Sequence, residues 1–551
     1  MKFIYRKNII ILLSTIFICT SLHGQVKLAN NWFFGRGAGL TWDSPQDNIT
    51  ANGVAETGTG NAVLSGLPAQ LTGSVMWTVE GCFSLSDSNG DILFYSDGSR
   101  IYNKNNVIML NGDNLAGNYS SAQSGIMIPY PLDPTKYIVV TLIDWFNQNE
   151  ASNSGNICYS VIDLNGDGGN GEIITGQKNV PLLGATGITA ESVTSVQHAN
   201  GQDYWIVAPG KSEYQNAFPN PSYPVTSTAL NVWLVDENGV NATAPAHIYT
   251  FPMDSIAIDM GNPNGYLRFS PDGRQFVWAT WLGNTKVIYG NFDNRTGEFS
   301  NIKAMDNEVN YGVSFSRSGK YLYLSNPYQD NNQNSTRGFR VYDFVELLNA
   351  SEPNTITPIK SYNFSATERP GGLQLGPDGR LYMSLQTSDT LRFVDNPEDP
   401  ANLRMYDIPH FFQGRGQLYH YTSHVLTDTT LRQQTGISSF ADYLFRLPLS
   451  GDYNLCMNTE GTYRMSFVQG IGNNEIINLE WDFGDGNIVN QPITSGIYDI
   501  TQTHTFTKSG DFRIKVTPQT LGGGIDDAQI STFEVKVTPC LMPVNPNIHW
   551  Y

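Results

Sequence analysis
The chain has 551 residues, more than one small fold uses and enough for several domains or one large repeat assembly. Hydrophobic residues make up 40%, aromatics 12% and charged residues only 15%, with 53 Gly and 28 Pro, a balance that describes turn-rich β structure and excludes coiled coil and intrinsic disorder. With 32 Lys+Arg against 50 Asp+Glu the net charge is −18, a field that repels phosphate backbones and anionic lipid, so nucleic-acid and membrane-surface binding are disfavoured.

Met1 to Gly24 reads as an export signal: Lys2, Arg6 and Lys7 supply the charged start, Ile9 to Ile18 the apolar stretch, and Leu22-His23-Gly24 a cleavage site before Gln25. Its removal takes the net charge from −18 to −21. The apolar run is well short of the ~20 residues that span a bilayer, and Ile18 precedes Cys19 where lipoprotein processing requires a small residue. The mature chain is therefore expected outside the cytoplasm without a transmembrane segment, in the periplasm, at the outer membrane or on the cell surface. Four cysteines remain, Cys82, Cys158, Cys456 and Cys540, and an oxidising compartment permits bridges.

A hairpin is written around Phe83 to Leu93, with Ser86-Asp-Ser-Asn-Gly90 as its turn, and another around His198 to Trp205. The same pattern recurs at Leu267-Arg-Phe-Ser-Pro-Asp-Gly273, Val313-Ser-Phe-Ser-Arg-Ser-Gly319 and Leu373-Gln-Leu-Gly-Pro-Asp-Gly379, each followed by an aromatic-rich strand. The turn glycines are 46 and then 60 residues apart, the spacing of four-stranded propeller blades with variable loops. Residues 25–449 thus read as a β-propeller of seven blades at about 60 residues each. Trp32-Phe-Phe-Gly is expected to complete the last blade and close the ring.

Chemistry is sought along the same chain. Asp163-x-Asn165-x-Asp167-Gly168 begins like a calcium loop, but Ile174 stands where the closing Glu belongs, so a solvated Gly/Asn loop is the reading, with calcium through Glu172 as its alternative. His420 and His424, with His410 as a third ligand, could hold zinc, yet no acidic partner accompanies them and packing or surface roles are expected. Asp87, Asp272 and Asp378 sit beside turn glycines, where Asp serves the backbone. No catalytic pair, nucleophile elbow or phosphate loop is visible, and neither catalytic residues nor a cofactor or metal is expected. Trp145 and Phe146, in a long inter-blade loop, are the candidate ligand contacts; packing against neighbouring blades is their alternative.

Beyond Leu449 the pattern changes to short alternating strands with Gly-Asp turns, a β-sandwich over 452–540 followed by the tail 541–551. Trp481 and Phe483 fall on one buried face. Cys456 and Cys540 bracket this unit. A bridge between them would stabilise it by about 4 kcal/mol if its first and last strands come close, whereas thiols left at opposite ends would simply pack. Cys82 and Cys158 read as isolated buried thiols.

Trp481-Asp482-Phe483-Gly484-Asp485-Gly486, followed by His504-Thr-Phe, resembles the PKD domain, an immunoglobulin-like sandwich of surface proteins. Upstream, Asn31-Trp-Phe-Phe-Gly, Glu80-Gly-Cys-Phe-Ser-Leu-Ser-Asp-Ser-Asn-Gly, Ser121-Ala-Gln-Ser-Gly and Val196-Gln-His-Ala-Asn-Gly are similar to the propeller-plus-PKD envelope proteins of gliding Gram-negative bacteria. The resemblance implies a non-catalytic interaction protein of the cell envelope, linked to gliding or type IX secretion. Its propeller would be a protein- or carbohydrate-binding platform and its PKD domain a spacer or secondary contact. Envelope proteins, an outer-membrane barrel or surface glycans would be its partners. A propeller-based polysaccharide hydrolase or lyase is the competing expectation, because propellers host such enzymes too.

Overall fold
The computed structural model describes residues 27–540, apart from 88, 144–155, 183–189, 200–201, 212–227, 251–264, 281–285, 307–309, 328–336, 366, 387, 414–436, 446–448, 453, 468–474, 495–498 and 526–529. The leader 1–24 and the tail 541–551 lie outside the described residues. What is described is all-β, and its α-helix is confined to Phe344–Asn349, where Asp343 accepts from the N–H groups of Val345 and Glu346.

Among the described residues, seven sheets precede Leu449. They are numbered by their first strands: sheet 1 Asn31–Phe34, sheet 2 Cys82–Ser86, sheet 3 Gly125–Pro129, sheet 4 Thr194–Gln197, sheet 5 Leu267–Phe269, sheet 6 Gly312–Phe315 and sheet 7 Pro370–Leu375. Sheets 3 to 7 each lay four antiparallel strands outward in chain order. The first strand of each sheet packs on that of the next, and Trp32 of sheet 1 meets Tyr382 of sheet 7 with ring centroids 5.6 Å apart. Sheets radiating from one axis in this way make a β-propeller. Their first strands are buried on both faces, which explains the near-continuous apolar runs Trp32-Phe-Phe and Ile126-Met-Ile.

The repeat glycines close the first hairpins. Gly273, Gly319 and Gly379 have φ of 71°, 76° and 79°, left-handed values that suit glycine, and each donates its N–H back to residue 270, 316 or 376. Asp87 accepts from the N–H groups of Asn89, Gly90 and Asp91. Asp272 accepts from the Ser270 hydroxyl at 2.6 Å, and Asp378 from the Arg380 N–H at 3.2 Å. The three aspartates serve their turns.

Ring closure differs from the expectation. Trp32-Phe33-Phe34 does not complete the last sheet. Instead Ile49–Gly53 pairs with Met405–Ile408, the fourth strand of sheet 7, through Asn52 opposite Asp407 and Gly53 opposite Tyr406, and Ala62–Leu64 follows as the outermost strand. Burial gives the reason: Asn31 to Phe34 are buried throughout and suit an axial place, whereas Ile49 to Gly53 alternate like an outer strand. The first strand of sheet 1 also runs opposite to its neighbour in sheet 2, since Leu28 accepts from Ser86, Phe33 donates to the Ser84 hydroxyl and Gly35 accepts from Thr78. Arg380 fastens the seam. Its guanidinium donates to the carbonyls of Ser65 and Gly66 at 3.0 and 3.1 Å while ion-paired to Asp378 and Asp395.

After the ring come two facing sheets. One orders Leu449–Gly451, Glu460–Ser466 and Asp499–Thr505; the other orders Asn454–Cys456, Ser531–Thr538, Gly510–Thr520, Ile476–Asp482 and Ile488–Pro492. They share a core of Leu449, Tyr463, Leu479, Trp481, Phe483, Val516 and Val535, among others. Trp481 and Phe483 are both fully buried on one face, as the alternation requires. The first and last strands of the larger sheet lie side by side in parallel, Cys456 opposite Thr538, which brings Cys456 and Cys540 to a Cα separation of 5.2 Å and into a disulfide. Cys82 and Cys158 are buried thiols, and burial raises both, Cys158 to about 12.

His504 stacks on Phe483 at 4.0 Å and donates from Nε2 to Asp485 at 2.8 Å. Partial burial opposes ionisation of Asp485, but the bonds from His504 and the Asn487 N–H outweigh it and hold the carboxyl below its ordinary range.

Three measurements check this packing. Trp481→Ala should cost the sandwich about 3–5 kcal/mol through the cavity it leaves, seen in urea titration as loss of the sandwich transition with the ring transition retained. Reducing the 456–540 bridge should lower sandwich stability by about 4–5 kcal/mol on the chain-entropy estimate, and peptide mass spectrometry without reductant should recover the two cysteines linked. Because the folded Asp485 pKa is depressed, its contribution is present above about pH 4 and lost as pH falls through the folded value; Asp485→Asn should flatten that acid limb of the sandwich melting curve.

Candidate functional site
The ring has two unlike faces. First strands run from one to the other, and at their far end tight turns such as 270–274, 316–320 and 376–380 lead into the second strands. At their starting end the second strands hand over to the third through 143–156, 212–227, 280–285 and 327–337. The connections that join strand ends on this connection face are longer in sequence than the turns at the other. The turn face carries the sandwich: Arg464 of the sandwich lies 3.3 Å from Asp272 of the sheet 5 turn.

The axis between the faces is filled by the chain itself. Residues 437–444 are all buried and lie against the first strands of sheets 1, 2, 4 and 5. Ser438 and Ser439 pair in parallel with Cys82 and Phe83. The segment starts at the connection face, where the Ile437 N–H donates to the Tyr266 hydroxyl at 3.2 Å. It finishes near the turn face, where Asp442 accepts from the Phe269 N–H at 3.1 Å and Tyr443 packs on Tyr204.

Polar side chains in the middle of the first strands receive it. Ser84 bonds Ser438 at 2.6 Å, Gln374 accepts from the Phe440 N–H at 3.2 Å, and Arg268 donates to the carbonyls of Phe440 at 2.8 Å and Leu373 at 3.2 Å. Arg268 also lies over the Tyr266 ring at 5.1 Å. Burial pushes the Asp442 carboxyl up to about 6, against the pull of Arg268 and of backbone N–H groups. Sequence reading missed this cluster. Its signal is a polar residue at the same place in the first strands of sheets 2, 5, 6 and 7, Ser84, Arg268, Ser314 and Gln374, each buried.

At the connection-face mouth, Glu80 and Glu191 are buried; Glu191 accepts from the Ala122 N–H at 3.0 Å. Gln123 reaches across to sheet 5, accepting from the Leu267 N–H at 2.7 Å. Glu191 thus ties sheet 4 to sheet 3, and Gln123 ties sheet 3 across to sheet 5.

The residues singled out from sequence are scattered. Trp145, Phe146, His420 and His424 lie outside the described residues. His410 sits 3.0 Å from Asp389, and His198 bonds the Arg295 carbonyl at 3.0 Å beside Trp205. In the 163–168 loop Asp163 accepts from the Asn165 N–H, and Glu172 stands opposite Asp163 in the ladder. Among the described residues no three His, Cys, Asp or Glu side chains converge as metal ligands, and no helix is long and apolar enough to cross a membrane.

No protein-family model and no curated protein matches the chain. Among solved structures it is similar to the Dos1 propeller, at 12% identity over 70% of this chain and 85% of that one with a TM-score of 0.35. It is also similar to Sqt1 of Chaetomium thermophilum, at 12% identity over 75% and 95% with a TM-score of 0.29. A third is a provisionally assigned 6-phosphogluconolactonase of Bacteroides uniformis, at 15% identity over 60% and 95% with a TM-score of 0.31. The propeller assignment stands on this chain's own strand order and contacts.

Arg268→Ala should strand two buried carbonyls and open a cavity beside Tyr266, lowering ring stability by about 3 kcal/mol. The expected result is a lower urea midpoint for the ring with the sandwich transition unmoved.

Proposed function
We propose that the protein is a non-catalytic interaction protein of the cell envelope, a seven-bladed propeller that binds a protein or a glycan at its connection face. The single observation that carries this reading is the inequality of the two faces: the longer connections join strand ends at one, and the sandwich meets the other through Arg464 and Asp272. A rigid ring presenting loops from several sheets is a binding platform. The PKD-like sandwich then serves as spacer or secondary contact, held away from the loops.

The Cys456–Cys540 disulfide supports an oxidising compartment, in keeping with the export signal read over 1–24. A net charge of −18 favours neutral or cationic partners over nucleic acid and anionic lipid. An outer-membrane barrel, another envelope protein or a surface glycan fits those terms, and the resemblance to propeller-plus-PKD proteins adds gliding or type IX secretion as the setting. Trp145 and Phe146 belong by sequence to the connection that leaves sheet 3 at Leu142 and returns at Ile157, so they are assigned the contact.

The test is a pull-down from envelope extracts alongside a glycan array, with native protein and the Trp145→Ala/Phe146→Ala double variant. A specific partner or glycan bound at least tenfold more weakly by the variant is expected, each lost anchor being worth about 1–2 kcal/mol. Failure of the native protein to bind in either format overturns the platform reading, and equal binding by the variant overturns the assignment of these two residues.

A further inference from the structure
Residues 437–444 are more than filler, because their two ends do different work. The N-terminal part makes neutral hydrogen bonds with Tyr266, Ser84 and Gln374 and accepts one charged bond, from Arg268 to the Phe440 carbonyl. The C-terminal part places one ionisable carboxyl, Asp442, in a buried position near the turn face, shortly before the sandwich begins at Leu449. We propose that this axial segment is a pH-sensitive strap, seated firmly across the ring while the Asp442 carboxyl is neutral and loosened from it once that carboxyl is charged.

The geometry sets the terms. Asp442 is buried, with the Phe269 N–H at 3.1 Å and its own backbone N–H as donors. A buried carboxylate needs several donors or a close cation to offset lost hydration. Arg268 attracts it but makes no ion pair with it: two of its N–H groups donate to Phe440 and Leu373, and its Nε–H has no partner among the described residues. The strands against this turn are the first strands of sheets 4 and 5. Thr194–Gln197 carries no ionisable side chain, and Leu267–Phe269 carries Arg268. Beside them stand Tyr443 of the segment itself, Tyr204 of sheet 4 and Tyr137 of sheet 3, all raised by burial and neutral throughout the range considered. Asp442 is thus the group in this set that changes charge between pH 4 and 8.

The sign follows from burial. The seated carboxyl titrates near 6 and a released one near 3.8. A folded value above the unfolded one gives stability that is complete below about pH 4 and lost as pH rises through about 6. Between pH 5 and 7.5 the released population of the strap should rise about tenfold relative to the seated one. The ring need not open for this, since the seam between Ile49–Gly53 and Met405–Ile408 carries no part of the change.

Hydrogen exchange of the full chain, read by mass spectrometry and corrected for the intrinsic pH dependence of amide exchange, tests the strap. Peptides covering 437–444 and 266–270 should lose about tenfold in protection from pH 5 to 7.5, while peptides covering 275–279 and 405–408 keep theirs. In Asp442→Asn the same two peptides should show a constant protection factor over that range. Unchanged protection at 437–444 in the native chain overturns the proposal. So does an equal loss in Asp442→Asn, or an equal loss at 275–279, which would mark general weakening of the ring. If Asp442→Asn fails to fold, Asp442→Ser takes its place, and the native profile still decides whether the strap responds to pH.

Discussion
Everything in the ring depends on how its axis is filled. Strands that radiate from a centre converge on a space too small for a domain and too large for side chains alone, and polar groups there must find partners or lose stability. Here eight buried residues from late in the chain supply those partners, giving Arg268, Gln374 and Ser84 backbone and hydroxyl groups to bond. The axis therefore behaves as core.

The outer closure answers a different demand. An unpaired outer strand of sheet 7 would invite pairing with other chains. Residues Ile49–Gly53 cover it, and Arg380 ties the turn at Ser65 and Gly66 to the same sheet. Contacts such as the Met405 N–H to the Thr59 hydroxyl, 346 residues apart in sequence, make the two ends of the ring one structure. Axis and seam thus hold the sheets from inside and outside at once.

Much of this was legible in the sequence. The turn glycines at 273, 319 and 379 announce the hairpins because a left-handed residue must follow each short strand. The alternation around Trp481 and Phe483 shows which face is core, and Cys456 and Cys540 bracket a unit whose first and last strands do pair. What stayed hidden is long-range. Ile437 to Leu444 looks like any half-apolar strand, and nothing local says that it crosses an axis built by sheets up to hundreds of residues earlier. The place of Trp32 to Phe34 is hidden for a similar reason: buried aromatics mark a covered strand without naming the neighbour that covers it.

The path of residues 437–444 from one face to the other also sets an order of assembly. A folded sandwich is far wider than the centre of a propeller, so it cannot be drawn through a finished ring. The axial segment must be laid down while the seam at Ile49–Gly53 is still open, or pass through before the sandwich has folded. Synthesis runs the other way, presenting the N-terminal strands long before their partners at 405–408 exist. Unpaired edges are therefore exposed for most of the chain's maturation, and a ring that closes too early shuts its own tail outside.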